Sequence, residues 1–121
     1  MIELTKYELL DLAGTYHGLG TSAGMGYFSI VSAYLIVAFL AGDKLNRQQV
    51  IVISGLFVVM ALNMTWAAGA YLYFGQGFVF QSGQEMPITV IQPHHVITPL
   101  LLIGIIAALK FMWDVRHPKT E

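Results

Sequence analysis

Residues 50 to 73 read VIVISGLFVVMALNMTWAAGAYLY and contain no Asp, Glu, Lys, Arg or His. A helix rises about 1.5 Å per residue, so the hydrocarbon core of a bilayer, about 30 Å thick, requires roughly 20 apolar residues. This run reaches that length without a charge. It therefore predicts a transmembrane helix over about residues 49–74.

Two further runs, residues 23–41 and 96–109, also lack charged residues and histidine. The second run is shorter, and it reaches a full span when the ammonium of Lys110 extends to the membrane surface and Trp113 lies at the interface. The predicted spans are about 21–42 and 95–114. Three buried helices of a soluble bundle are the alternative, but these runs lack the polar faces that such helices need. The sequence thus predicts an all-α integral membrane protein with a single membrane domain, 1–121.

Composition narrows the function classes. Hydrophobic residues make up 56% of the chain and charged residues only 11%, against roughly 25% charged in soluble domains. A net charge of -1 argues against a nucleic-acid partner, because binding to phosphates requires a basic surface. The absence of cysteine excludes disulfides and thiolate catalysis. No Ser/His/Asp set or phosphate-binding glycine loop occurs, so no enzyme activity is expected.

The basic residues predict the orientation. Five of the six lie between the first two spans or after the third: Lys44, Arg47, Lys110, Arg116 and Lys119. The other is Lys6, near the N-terminus. Because basic loops stay on the cytoplasmic side, we expect the N-terminus outside and the C-terminus in the cytoplasm. The expected location is a bacterial inner membrane.

Two segments outside the spans have their own patterns. Thr5 and Glu8 have the spacing of a capping box, which predicts a short amphipathic helix over about residues 5–18. In the outer loop 76–93, the apolar segments FVF and ITVI flank QSGQ, a pattern that fits a small β-hairpin.

The segment GTYHGLGTSAGMG, residues 14–26, resembles a flexible linker but has a helical periodicity. Gly14, Gly18, Ser22 and Gly26 recur every four residues, which is the small-xxx-small pattern of closely packed membrane helices. We therefore predict a mostly helical packing seam here. Inside the spans, Asn63 and Gly104 are two further predicted helix-packing residues. The amide of Asn63 is costly in hydrocarbon unless it is hydrogen-bonded.

Three histidines, His17, His94 and His95, lie on the predicted outer side. Imidazoles are common ligands of copper, zinc and haem iron, so these residues are candidate metal ligands. Adjacent histidines on a helix point about 100° apart, so one ion cannot easily bind both unless the backbone is irregular. The alternative is that the histidine side chains form hydrogen bonds to loop carbonyls or water. We expect a protein without a cofactor.

Three functions remain open. The leading hypothesis is a non-enzymatic membrane protein that acts as a homo-oligomer or as an accessory subunit of a larger membrane complex, with the lipid bilayer and other membrane subunits as its partners. The first alternative is an oligomeric pore, and its candidate lining residues are Ser29, Ser32, Asn63 and Thr65. The second alternative is a redox accessory protein that binds metal or haem at the outer histidines.

Overall fold

Three helices make up the described part of the chain. A computed structural model describes residues 4–83 and 93–118, the side chains of Pro93 and His94 excepted. The helices are α1 (Lys6–Ala41), α2 (Arg47–Gln81) and α3 (Pro93–Arg116). Each is long and apolar enough to cross a membrane, which supports the predicted three-span membrane protein.

The first helix, α1, is continuous over 36 residues. It begins at the predicted cap, where Thr5 Oγ1 accepts the N–H of Glu8 at 3.2 Å and the Glu8 carboxylate accepts the N–H of Thr5 at 2.8 Å. Residues 14–26 are helical, as predicted. The predicted amphipathic segment 5–18 is helical from Lys6 onward, and it is continuous with the first span, so the two together form α1. In apolar surroundings the backbone must satisfy its own hydrogen bonds, and this outweighs the cost of about 1 kcal/mol for each glycine.

The second helix, α2, extends beyond the predicted span to Gln81. Residues 76–81 are therefore helical, and no strand occurs in the described ranges, so the predicted hairpin does not form there. Its ITVI half lies outside the described residues. The physical reason is a helical face: Tyr71, Phe74 and Phe78 all lie against Tyr16 of α1, with ring centroids 5.3–6.2 Å apart. In a strand, Tyr71 and Phe78 would point to opposite faces and could not both lie against Tyr16.

The buried core runs along the axis where the three helices meet. α1 packs chiefly against α2, and α3 contacts both. Both small and aromatic residues lie on the buried side of α1, among them Ala23, Tyr27, Tyr34 and Ala38. Tyr34 stacks on Phe57 of α2, with centroids 4.1 Å apart and planes inclined by 15°. The small residues allow the backbones to approach, and the aromatic rings fill the remaining space.

The outer surface of the bundle is apolar. Large hydrophobic side chains stay exposed on all three helices, and they include Phe39, Leu40, Val59, Ile103 and Ile106. In a monomeric soluble protein, apolar patches of this extent are rare. Their distribution around the bundle is that expected of helices surrounded by lipid.

The two ends of the bundle differ in chemistry. One end, called the turn end below, contains the α1–α2 connection at residues 42–46 and the C-terminus of α3. The other, called the far end, contains the start of α1, the end of α2 and the start of α3. Arg47 and Arg116 lie at the turn end, whereas the far end carries the aromatic group around Tyr16.

Candidate functional site

Glycines mark the closest contacts between the helices. A Cβ built at Gly20 would lie 3.0 Å from Leu72 Cγ, and one at Gly69 would lie 2.8 Å from Thr98 Oγ1. Gly104, a predicted packing residue, lies directly against the hydroxyl of Tyr27. That hydroxyl donates a 2.5 Å hydrogen bond to the carbonyl of Leu101. Glycine at these positions lets α1, α2 and α3 meet without steric overlap.

The predicted seam on α1 is not the face that packs within the chain. Gly14, Gly18 and Ser22 are exposed, and a Cβ at Gly14 or Gly18 would meet nothing within 4 Å. Gly26 is half-buried, and a Cβ there would lie 3.3 Å from Met64 Sδ. The first three positions of the seam are therefore free for contact with another protein chain.

The candidate pore-lining residues do not share one surface within the chain. Thr65 is buried and donates a 2.8 Å bond to the carbonyl of Ala61. Ser29, Ser32 and Asn63 face outward. Ser29 bonds to its own helix, at the Met25 carbonyl. Asn63 has no hydrogen bond to any described residue, so its amide is both exposed and unpaired within one chain.

The three candidate ligand histidines, His17, His94 and His95, lie at the far end. The ring of His17 packs over Gly75 of α2, so that a Cβ at Gly75 would lie 2.6 Å from its Cδ2. His17 Nε2 is buried and has no hydrogen-bond partner. His95 is exposed near the start of α3, and the side chain of His94 is outside the described part. Among the residues described, no three His, Asp or Glu side chains group as a metal site would require. The three-histidine site therefore stays a prediction.

The turn end holds a cavity of about 390 Å³ between α2 and α3. We call it the turn-end crevice. One face of α2 contributes Arg47, Val50, Ile51 and Ser54, and one face of α3 contributes Leu109, Met112, Trp113 and Arg116. Tyr34 of α1 and His117 also line it. The crevice is thus basic at its mouth and apolar along its walls.

Hydrogen bonds fix the polar groups of the turn-end crevice. Arg116 Nη1 donates to the carbonyls of Gly42 and Leu45, at 2.9 and 2.5 Å, and so ties the end of α3 to the α1–α2 turn. At the floor, the hydroxyls of Tyr34 and Ser54 lie 2.9 Å apart and form a hydrogen bond in which either can be the donor. The ring of His117 stacks on Trp113 with centroids 4.0 Å apart. These contacts fix the positions of Arg116, Tyr34 and Trp113 in the lining of the crevice.

Acidic groups do not line the turn-end crevice. Its lining residues include two arginines and a histidine but no Asp or Glu. The nearby Asp114 is paired with Lys110, with 2.6 Å between Nζ and Oδ2. The guanidinium groups of Arg47 and Arg116 have no ion pair among the residues described. The crevice therefore has an uncompensated positive charge that favours an anion.

Sequence reasoning missed the turn-end crevice, although a signal was present. Residues 47, 50, 51 and 54 follow the i, i+3, i+4, i+7 spacing of one helix face, and residues 109, 112, 113 and 116 follow the same spacing. Each face carries an arginine at its end. In the sequence these arginines indicate only the orientation, because the pairing of the two faces depends on how α2 and α3 pack.

Comparisons with protein families, with curated proteins and with solved structures find no match to this chain. The fold and its surfaces therefore carry the functional argument. In the described part of the chain they comprise three helices long and apolar enough to span a membrane, an unpaired polar group on the outer surface and a basic crevice at one end.

Proposed function

We propose that this protein is a non-enzymatic integral membrane protein that acts by assembling in the bilayer, as a homo-oligomer or as an accessory subunit of a larger membrane complex. The observation that carries this proposal is the exposed, unpaired amide of Asn63. Asn63 lies about 24 Å along α2 from Arg47. With Arg47 at the membrane surface, Asn63 is within a hydrocarbon core about 30 Å thick.

An unpaired amide in hydrocarbon is unfavourable, and association removes this cost. The hydroxyl of Ser29 bonds to its own helix, as short hydroxyl side chains commonly do. The larger amide of Asn63 has two donors and an acceptor, so it pairs well with a second Asn63 across a two-fold axis. Self-association is therefore the form of assembly that we favour. Interhelical hydrogen bonds in membranes contribute about 0.6–2 kcal/mol each.

The exposed small residues of α1 provide a second surface for assembly. Gly14, Gly18 and Ser22 have no packing role inside the chain, yet their spacing suits close helix approach. Gly26, the next residue of this series, contacts Met64, which neighbours Asn63 in α2. Gly26 and the amide thus lie at neighbouring depths in the bundle, and Ser22, Gly18 and Gly14 follow toward the far end at steps of about 6 Å along α1.

We infer the orientation from charge. The turn end carries Lys44, Arg47, Lys110 and Arg116, whereas the far end has Lys6. The positive-inside rule then places the turn end in the cytoplasm and the N-terminus outside. A bacterial inner membrane is the setting that we propose for this topology.

Energy transfer between labelled chains in liposomes tests the assembly. Donor- and acceptor-labelled protein are mixed, and the transfer is followed as lipid is added to dilute the chains. We expect transfer above the random-collision level and a shift of the dissociation midpoint by about 3- to 30-fold in Asn63→Leu. Thr65→Val is the matched control, because Thr65 is buried and already bonded within α2. A strict monomer at all dilutions would refute self-association.

The α1 surface is tested in the same assay by Gly18→Leu. Gly77→Leu is the control, because a Cβ at either glycine would meet nothing within 4 Å in the chain. Both substitutions add the same side chain to a helix, and leucine is the better helix former. We expect weaker association in Gly18→Leu alone. Equal association in the two variants would show that this face of α1 is not part of the assembly.

A further inference from the structure

We propose that the turn-end crevice binds the phosphate-bearing headgroup of an anionic phospholipid, with part of its acyl chain along the apolar walls. This site is separate from the surfaces proposed for assembly. The arginines, the apolar walls and the position of the crevice on the bundle each favour such a ligand.

The arginines supply the charge and the donors. Arg116 uses Nη1 to hold the α1–α2 turn, which fixes the guanidinium and leaves its other N–H groups for a ligand. Arg47, the first residue of α2, lines the same crevice. Planar guanidinium groups bind phosphate oxygens through paired hydrogen bonds. Because no carboxylate lines the crevice, no acidic side chain of the lining would compete with a bound anion for the arginines.

The walls indicate an amphiphile rather than a small soluble anion. Below the arginines, Val50, Ile51 and Leu109 give the crevice an apolar side. Ile51 and Trp113 are about 60% exposed, so the crevice opens sideways on the lipid-facing surface. A soluble phosphate would leave these apolar groups unused, whereas an acyl chain would cover them.

The depth of the crevice matches the layer in which headgroups lie. Arg47 begins α2 and Arg116 ends α3, so both mark the boundary between the apolar helices and the aqueous side. Basic pockets between membrane helices at this depth bind anionic headgroups. The cavity of about 390 Å³ lies within the range of known small-molecule pockets.

Trp113 provides a direct reporter of occupancy. The chain has two tryptophans, so Trp66→Phe leaves Trp113, a lining residue, as the single fluorophore. The protein is reconstituted into phosphatidylcholine vesicles that contain a fixed fraction of lipid with brominated acyl chains, which quench indole on contact. The brominated lipid is phosphatidylglycerol in one series and phosphatidylcholine in the other. We expect stronger quenching by phosphatidylglycerol at equal mole fraction.

The decisive variant is Arg47→Gln, with Lys44→Gln as its control. Both remove one positive charge at the turn end, but Lys44 is exposed and does not line the crevice. The preference is the ratio of quenching by brominated phosphatidylglycerol to quenching by brominated phosphatidylcholine. We expect this ratio to fall about fivefold in Arg47→Gln and to change little in Lys44→Gln. Arg116→Gln should also lower it, although this change removes two bonds to the turn as well. Circular dichroism confirms that each variant is folded.

Three outcomes would overturn the proposal. The first is equal quenching by the two brominated lipids. The second is an equal effect of Arg47→Gln and Lys44→Gln, which would show general surface attraction. The third is displacement of phosphatidylglycerol by millimolar inorganic phosphate at constant ionic strength, which would assign the arginines to a soluble phosphate instead. Unchanged quenching on addition of phosphate supports the lipid.

Discussion

The hydroxyl of Tyr27 in α1 reaches the backbone of α3 because residue 104 is a glycine. It donates a 2.5 Å hydrogen bond to the Leu101 carbonyl, and it lies against Gly104 where a Cβ would otherwise be. The ring carbon that carries the hydroxyl is 3.5 Å from that Cβ position, which is an ordinary contact distance. The steric conflict therefore involves the hydroxyl alone.

This geometry predicts a strong coupling between Tyr27→Phe and Gly104→Ala. Tyr27→Phe should lower the free energy of unfolding by about 1 kcal/mol, the value of an interhelical hydrogen bond in a membrane. Gly104→Ala should lower it by about 2 kcal/mol, because the added methyl displaces the hydroxyl. When Tyr27 is already replaced by Phe, Gly104→Ala should change the free energy of unfolding only slightly. Unfolding in mixed detergent micelles, followed by circular dichroism, measures all four proteins, and strictly additive effects would contradict the geometry.

Gly20 and Gly24, one helical turn apart in α1, should respond differently to leucine. Gly20 faces Leu72 and the backbone of Ala68, whereas a Cβ at Gly24 would meet nothing within 4 Å. Gly20→Leu is expected to lower the free energy of unfolding by about 3 kcal/mol through overpacking. Gly24→Leu should leave it unchanged or raise it by up to about 1 kcal/mol, because leucine favours the helix. Similar losses in both variants would show that the α1–α2 contact lies elsewhere.

The neighbours Tyr16 and His17 should also differ in their effect on stability. His17 Nε2 is buried without a partner, and such a group costs about 1–3 kcal/mol. His17→Leu, which removes the polar atom at similar volume, should therefore preserve or raise the free energy of unfolding. Tyr16→Leu should lower it, because Tyr16 contacts three aromatic rings of α2.

A ligand on His17 would reverse the first of these results. If the outer histidines hold a metal or haem, His17→Leu should lose both stability and the bound group. Elemental analysis and the visible spectrum of the purified protein distinguish the two cases. A destabilised His17→Leu with no associated metal or chromophore would contradict both interpretations of this residue.

Single cysteines test the orientation cleanly, because the chain has none of its own. Gln81 at the far end and Asp43 at the turn end are both exposed. With the far end outside, a membrane-impermeant maleimide should label Gln81→Cys in spheroplasts. Asp43→Cys should react only after the membrane is opened. The reverse pattern would place the basic turn end outside and refute the proposed topology.

Local signals predicted the positions of the helices well. The cap at Thr5 and Glu8 depends on residues three apart, and the structure has both of its hydrogen bonds. The apolar run 50–73 alone gave the centre of α2. The predicted hairpin has no support in the described residues, because FVF forms part of α2 and continues the aromatic spacing that begins at Tyr71. This spacing indicates a packed helix face only if an aromatic partner lies opposite, and Tyr16 of α1 is that partner in the structure.

The three apolar spans and their approximate bounds follow from the sequence alone, because composition and periodicity are properties of single segments. Only the tertiary structure decided which face of each helix is buried. It turned Gly20 inward and left Gly14 and Gly18 on the surface, and it brought Arg47 and Arg116 to one crevice. The face that a helix buries depends on how its side chains fit against those of the other helices. A local pattern of small or basic residues does not specify which helix will pack against it.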